Sequence, residues 1–208
     1  VDENTKIIWL CSPNNPTGNA IHHQSVEMIL NNFDGLVVID EAYINFSRQQ
    51  SFIKELTEYP NLVVLQTMSK AWGLAGLRVG MAFAGEAVTE ALNRIKPPYN
   101  ISQPTQDLLL KALKETDAVN EKIREIVSLR DLLAANLSKL PSVKKVYPSD
   151  ANFLLVKMDN ARAVYESLLS LGIVVRDRSK VVLCNDCLRI TVGKKVENDE
   201  LLRALGIT

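Results

Sequence analysis

Apolar residues fall along this chain in two rhythms, and the rhythms mark out strands and helices. Short unbroken apolar runs at 7–11, 36–39 and 62–65 read as buried parallel strands, the third reaching Gln66, because a strand covered on both faces has no polar side to alternate with. Between them, helical spacing of apolar positions predicts a helix at 23–33 and a weaker one at 52–56. A loop dense in Ser, Pro, Asn and Gly occupies 12–19. A fourth strand is expected at 79–84. The connection into it, 67–78, is barely long enough for a crossover, which needs about a dozen residues, so an antiparallel return is open.

Further on, helices are expected at 86–95 and 103–113, separated by Lys96-Pro97-Pro98-Tyr99-Asn100. A long one follows at 118–140, with Ile123, Ile126, Val127, Leu133 and Leu137 on one stripe and Pro141 as its stop. Short strands at 143–147, 153–157, 173–176 and 188–192 then mix with helices at 161–171 and 197–205. The pattern predicts an α/β fold: part of a large, mostly parallel domain over 1–116, an interdomain helix over 117–140, and a small α+β domain over 141–208. The chain opens at Val1 and enters a strand almost at once. We read it as a piece of a larger protein.

Composition narrows the function. Lys plus Arg equals Asp plus Glu at 24 each, which removes the electrostatic case for nucleic acid. No apolar run approaches the ~18–20 residues of a membrane span, and the expectation is a cytoplasmic protein. Cys11, Cys184 and Cys187 are expected to be reduced thiols. Cys184-Asn185-Asp186-Cys187 has the spacing of a zinc or redox motif but lacks a second ligand pair, and a strand follows it rather than a helix. His22-His23 has no partner at ligand spacing and reads as a helix start. No metal is expected.

The candidate chemistry centres on Thr67-Met68-Ser69-Lys70, which leaves the third strand at its carboxyl end, where open α/β sheets bind ligands. Partial burial or a nearby cation would favour a neutral Lys70 amine, the nucleophile that forms a Schiff base with an aldehyde. Asn15 follows the first strand, Asp40 and Tyr43 the second, and Arg78 precedes the fourth. For a pyridine aldehyde carrying a phosphate this set is chemically complete. An aspartate would keep the ring nitrogen protonated and a lysine would hold the aldehyde. Thr67, Ser69 and Arg78 would hold the phosphate. Arg189, in an otherwise apolar strand, needs an anionic partner or exposure. Asp40-Glu41 after an apolar strand also resembles the acidic strand of a P-loop ATPase, but GxxxxGK[ST] is missing.

Asn14-Asn15-Pro16-Thr17-Gly18, Val38-Ile39-Asp40-Glu41-Ala42-Tyr43, Thr67-Met68-Ser69-Lys70 and Gly76-Leu77-Arg78-Val79-Gly80 resemble, in order, the motifs of the fold type I aminotransferases, which use pyridoxal 5'-phosphate. Lys96-Pro97-Pro98-Tyr99-Asn100, Ser149-Asp150-Ala151-Asn152-Phe153 and Cys187-Leu188-Arg189-Ile190-Thr191-Val192-Gly193 are similar to the histidinol-phosphate aminotransferase branch. The resemblance implies Lys70 as the Schiff-base lysine and proton shuttle, Asp40 on the pyridine nitrogen, and Asn15 and Tyr43 on the ring oxygen. It implies Thr67, Ser69 and Arg78 on the phosphate, Arg189 on a substrate α-carboxylate, Arg176 on a substrate phosphate, and Asn152 lining the site. A homodimer in histidine biosynthesis follows from the same resemblance. So does the absence, before Val1, of the family's amino-terminal part, which would leave this chain alone a weak cofactor binder without transaminase activity. Threonine-phosphate decarboxylase, an aromatic aminotransferase and a non-catalytic truncated domain are the rival readings.

Overall fold

The computed structural model describes residues 1–206, which divide into two compact units. The first comprises Val1–Pro13 and Ala20–Glu121; the second comprises Asn14–Asn19 and the chain from Lys122 onward.

In the first unit, strands β1 (Ile7–Cys11), β2 (Leu36–Asp40), β3 (Leu62–Thr67) and β4 (Gly80–Ala84) form one sheet in that order. The first three run parallel, and β4 returns antiparallel to β3, pairing Thr67 with Gly80 and Val63 with Ala84. The short connection thus resolves to the antiparallel return. Helix α1 (His23–Asn32) covers one face: its Val26 and Leu30 pack with Val37 and Ile39 of β2, Leu62 and Val64 of β3, and with Phe52 and Tyr59. Val38 and Val63 are buried on the other face, as expected for central strands.

Strand β1 departs from the expected buried strand. It lies at the sheet edge, with Ile7 45% and Trp9 65% exposed, because within this unit only β2 pairs with it. The 52–56 segment is a 3-10 turn, Phe52–Glu55, rather than an α-helix. Helices α2 (Glu86–Ile95) and α3 (Gln103–Ala112) sit where the apolar spacing put them. Ser102 caps α3, its hydroxyl accepting from the Thr105 N–H at 3.4 Å.

The second unit holds most of α4 (Thr116–Leu137) and an antiparallel sheet in the order β5-β6-β8-β7. Its strands are β5 (Val143–Val146), β6 (Phe153–Met158), β7 (Arg176–Asp177) and β8 (Cys187–Thr191), with helices α5 (Ala161–Ser170) and α6 (Lys195–Ala204). Period-two alternation gives the sheet two characters. Leu154, Val156, Met158, Leu188 and Ile190 face a core shared with Leu133 and Leu137 of α4, Leu168 of α5, and Leu201 and Leu202 of α6. Phe153, Leu155, Cys187 and Arg189 fall on the opposite face by the same alternation.

Two boundaries differ from expectation by three residues. Helix α4 stops three residues early, because the chain tightens into a turn with the Leu140 N–H donating to the Leu137 carbonyl. The strand expected at 173–176 is only Arg176–Asp177. Its early residues are held by the end of α5, where Gly172, at φ 79°, lets the Ile173 N–H reach back to the Leu168 carbonyl.

Leu137 is fully buried, so Leu137→Ala is expected to cost about 2–5 kcal/mol through the cavity it leaves. The exposed Lys139→Ala should stay within about 0.5 kcal/mol of the parent. Urea midpoints at unchanged slope are the measurement.

Candidate active site

Parallel pairing of β2 and β3 and the antiparallel return of β4 put the end of β2, the end of β3 and the start of β4 on one edge of the first sheet. Asp40 is the last residue of β2, in register with Cys11 and Leu65. It is half-buried, and its Oδ1 accepts the Ala42 N–H at 3.0 Å, which turns the chain off the strand. Tyr43, three residues on, is buried. The Lys70 Nζ lies 5.4 Å from the centroid of the Tyr43 ring.

Lys70 is exposed rather than partly buried. Its turn closes through Gly73 N–H to the Lys70 carbonyl and Leu74 N–H to the Met68 carbonyl, and Met68 takes the buried position at 2% exposure. Around it, the Thr67 hydroxyl donates to the Val79 carbonyl at 3.3 Å and accepts the Ser69 N–H at 3.1 Å. Arg78 is thereby tied beside Thr67 and Ser69. It holds a left-handed conformation, φ 56° and ψ 41°, which a non-glycine residue adopts only against strain. Its guanidinium Nη1 donates to the Ala75 carbonyl at 3.1 Å.

The remaining candidates belong to the second unit. Asn15 groups there with its whole loop. That loop is fastened by the Asp150 N–H, which donates to the Gly18 carbonyl at 2.7 Å. Gly18, at φ 82°, is required: a Cβ there would sit 2.5 Å from the Ser149 hydroxyl. Arg189 donates from Nη1 to Asn15 Oδ1 at 2.8 Å, and its guanidinium lies 5.0 Å from the centre of the Phe153 ring. Arg189 is thus half-buried, with the Asn15 amide and the Phe153 ring against its guanidinium. Arg176 stands directly opposite Arg189 in the β7–β8 register and is exposed. The Asn152 carbonyl accepts the Val192 N–H at 2.9 Å.

Two residues escaped the sequence reading. Arg130 is 5% exposed and donates to the Ala151 carbonyl at 3.0 Å, which holds the 149–153 segment. Its signal was present: it interrupts the apolar stripe of α4 three residues before Leu133 and seven before Leu137. Glu41 is 1% exposed, and its proximity to Asp40 hid it. Cys184 and Cys187 are buried free thiols, and burial, with Cys184 beside it, pushes Cys187 above its ordinary value. Among the described residues no cluster of three metal-ligating side chains occurs, and no helix is long and apolar enough to cross a membrane.

The sequence model of the aminotransferase class I and II family matches residues 1–205, and the chain belongs to that family. Within it, the chain is 52% identical over 207 residues to a histidinol-phosphate aminotransferase of Flavobacterium johnsoniae, covering 100% of this chain and 59% of that protein. The histidinol-phosphate aminotransferase of Clostridium acetobutylicum superposes with a TM-score of 0.89 at 25% identity, over 96% of this chain and 63% of that one. That of Sinorhizobium meliloti, solved in complex with pyridoxal-5'-phosphate, superposes with a TM-score of 0.85 at 29% identity, over 98% of this chain and 57% of that one. The chain thus spans about three-fifths of the length of these relatives.

Asp177, on the face of β7 opposite Arg176, is held below the usual carboxylate value. Ser179, whose hydroxyl faces it and whose N–H donates at 2.9 Å, is the main cause, and Arg162 at 3.6 Å adds to it. A depressed carboxylate contributes stability above the unfolded value near 3.8 and loses it as pH falls through the folded value. Asp177→Asn should therefore lower the urea midpoint at pH 6, and the gap to the parent should close below pH 3.8.

Proposed function

We propose that the full-length protein carrying this chain is a pyridoxal-phosphate-dependent transaminase of histidine biosynthesis. It would exchange an amino group between glutamate and 2-oxoglutarate on one side and histidinol phosphate and imidazole-acetol phosphate on the other. The observation that carries this reading is the single sheet edge bearing a carboxylate at Asp40, a phenol at Tyr43, an amine at Lys70, hydroxyls at Thr67 and Ser69, and a guanidinium at Arg78. These groups fit the cofactor's chemistry end to end: an acid for the ring nitrogen, an amine for the aldehyde, and two hydroxyls with a planar cation for the phosphate. The relatives' names supply the substrates.

Bound, pyridoxal phosphate supplies an electron sink for the charge that develops at the substrate Cα. The chain supplies the rest. Asp40 holds the ring-nitrogen proton, and Tyr43 and Asn15 hydrogen-bond the ring oxygen. Arg78, Thr67 and Ser69 grip the cofactor phosphate. Lys70 moves the proton at the substrate Cα, a role suited to an amine on a short, self-closed turn. Arg189 binds the α-carboxylate of glutamate or 2-oxoglutarate bidentately, oriented by Asn15 and Phe153. Arg176 binds the substrate phosphate, and Asn152 lines the same region. We further propose the division 1–116, 117–140 and 141–208 into partial large domain, connecting helix and small domain. The full-length protein is assigned as a cytoplasmic homodimer, and the present chain alone as inactive.

The test uses the protein at its relatives' full length. Borohydride treatment in the presence of pyridoxal phosphate should fix a pyridoxyl group on Lys70, and Lys70→Ala should abolish it and lower kcat by about 10²–10⁴. Arg176→Ala should raise KM for histidinol phosphate and leave KM for glutamate nearly unchanged, whereas Arg189→Lys should raise the latter. Carbon dioxide release from threonine phosphate without amino transfer to 2-oxoglutarate would replace the reading by the decarboxylase.

A further inference from the structure

The face of β2 and β3 that packs on α1 is apolar through Val37, Ile39, Leu62 and Val64, with Phe52 against it. It ends in a buried polar knot. Strand alternation puts Glu41 and Gln66 on this face, and Asp40 and Thr67 on the other. Glu41 is 1% exposed and accepts three hydrogen bonds. Its Oε2 accepts from the Ser51 hydroxyl at 2.5 Å and from Gln66 Nε2 at 2.9 Å, and its Oε1 accepts from the Phe52 N–H at 2.8 Å. Gln66 Nε2 also reaches the Ser51 oxygen at 3.2 Å, and the Ile53 N–H donates to that same oxygen at 3.2 Å. The Ser51 hydroxyl proton is thereby directed at Glu41.

An apolar side chain of similar size would fill this position without the cost of burying a carboxylate, so the knot is weak evidence for stability as such. What it provides is geometry. The Glu41 N–H makes the last rung to the Leu65 carbonyl at 2.8 Å, and the Glu41 carbonyl accepts from Ile44 N–H at 3.1 Å, closing the turn that carries Tyr43. Its side chain then ties β2 to Gln66, the residue before Thr67. We propose that Glu41, acting through Gln66, is a positioning residue that sets the separation between Asp40 and the Thr67–Ser69 phosphate grip, and so the affinity for the cofactor. This rests on the reading of the site given above. Asp40 and Thr67 would meet opposite ends of one small ligand, and such a pair has to be held to within about half an ångström.

The variant that isolates the tie is Gln66→Met, which removes the strand-to-strand hydrogen bond at similar volume and leaves Ser51 and Phe52 on Glu41. In the full-length protein, titration of pyridoxal phosphate by visible absorbance and by quenching of intrinsic fluorescence gives Kd without an activity assay. Gln66→Met is expected to raise Kd about ten-fold, with the cofactor-free thermal midpoint near that of the parent. Glu41→Gln, in which the Gln66 amide can turn to accept from the new donor, should retain more affinity than Glu41→Leu. A parent protein that binds no pyridoxal phosphate would sink the functional reading itself. A parent that binds while Gln66→Met binds equally well overturns the positioning role. So does a Gln66→Met whose cofactor-free midpoint falls in step with its affinity, since the knot would then be structural only.

Discussion

The parallel ladder between β2 and β3 is the constraint on which the candidate site depends. It sets Asp40 beside Leu65 in register and lets both strands end at one edge, so two stretches of sequence some thirty positions apart deliver their polar residues together. β4 completes the edge by running back antiparallel, which returns Arg78 next to Thr67. Had 79–84 followed a parallel crossover, its start would lie at the far end of the sheet. The residues on this edge are then fixed by short local bonds: the Asp40 carboxylate to Ala42, Thr67 to Val79 and Ser69, and the Lys70 turn to itself.

The second unit places its charged residues by a different device. A sheet face that carries Arg189 and Arg176 opposite one another pairs two like charges across strands, an unfavourable arrangement by itself. Asn15 and the Phe153 ring both meet the Arg189 guanidinium. Arg130 and the Gly18–Ser149 approach hold the loops that present those partners.

Much of this was legible in the sequence because the deciding features are local. Unbroken runs such as Leu62 to Leu65 read as strands, and the loop after them carries Lys70 wherever the rest of the chain goes. The long helix follows from its apolar spacing, although it ends at Leu137, ahead of the stop that Pro141 suggested. What failed to show was set by tertiary context. Ile7 and Trp9 have the apolar character of a central strand, and among the described residues β1 pairs with β2 alone. Lys70 gave no sign that Met68 would take the buried place in its turn. Arg130 and Glu41 are charged residues whose burial depends on acceptors and donors 10 to 25 positions away, beyond the reach of any period.

The central claim is that one small ring is held by Asp40, Lys70 and Arg78 together. A crystal structure of the full-length protein grown with pyridoxal phosphate tests it most directly. The account predicts continuous density from the Lys70 Nζ to the cofactor, the Asp40 carboxylate within hydrogen-bond distance of the pyridine nitrogen, and the phosphate against Arg78 and Ser69. Cofactor density elsewhere, or a ring whose nitrogen faces away from Asp40, would contradict it.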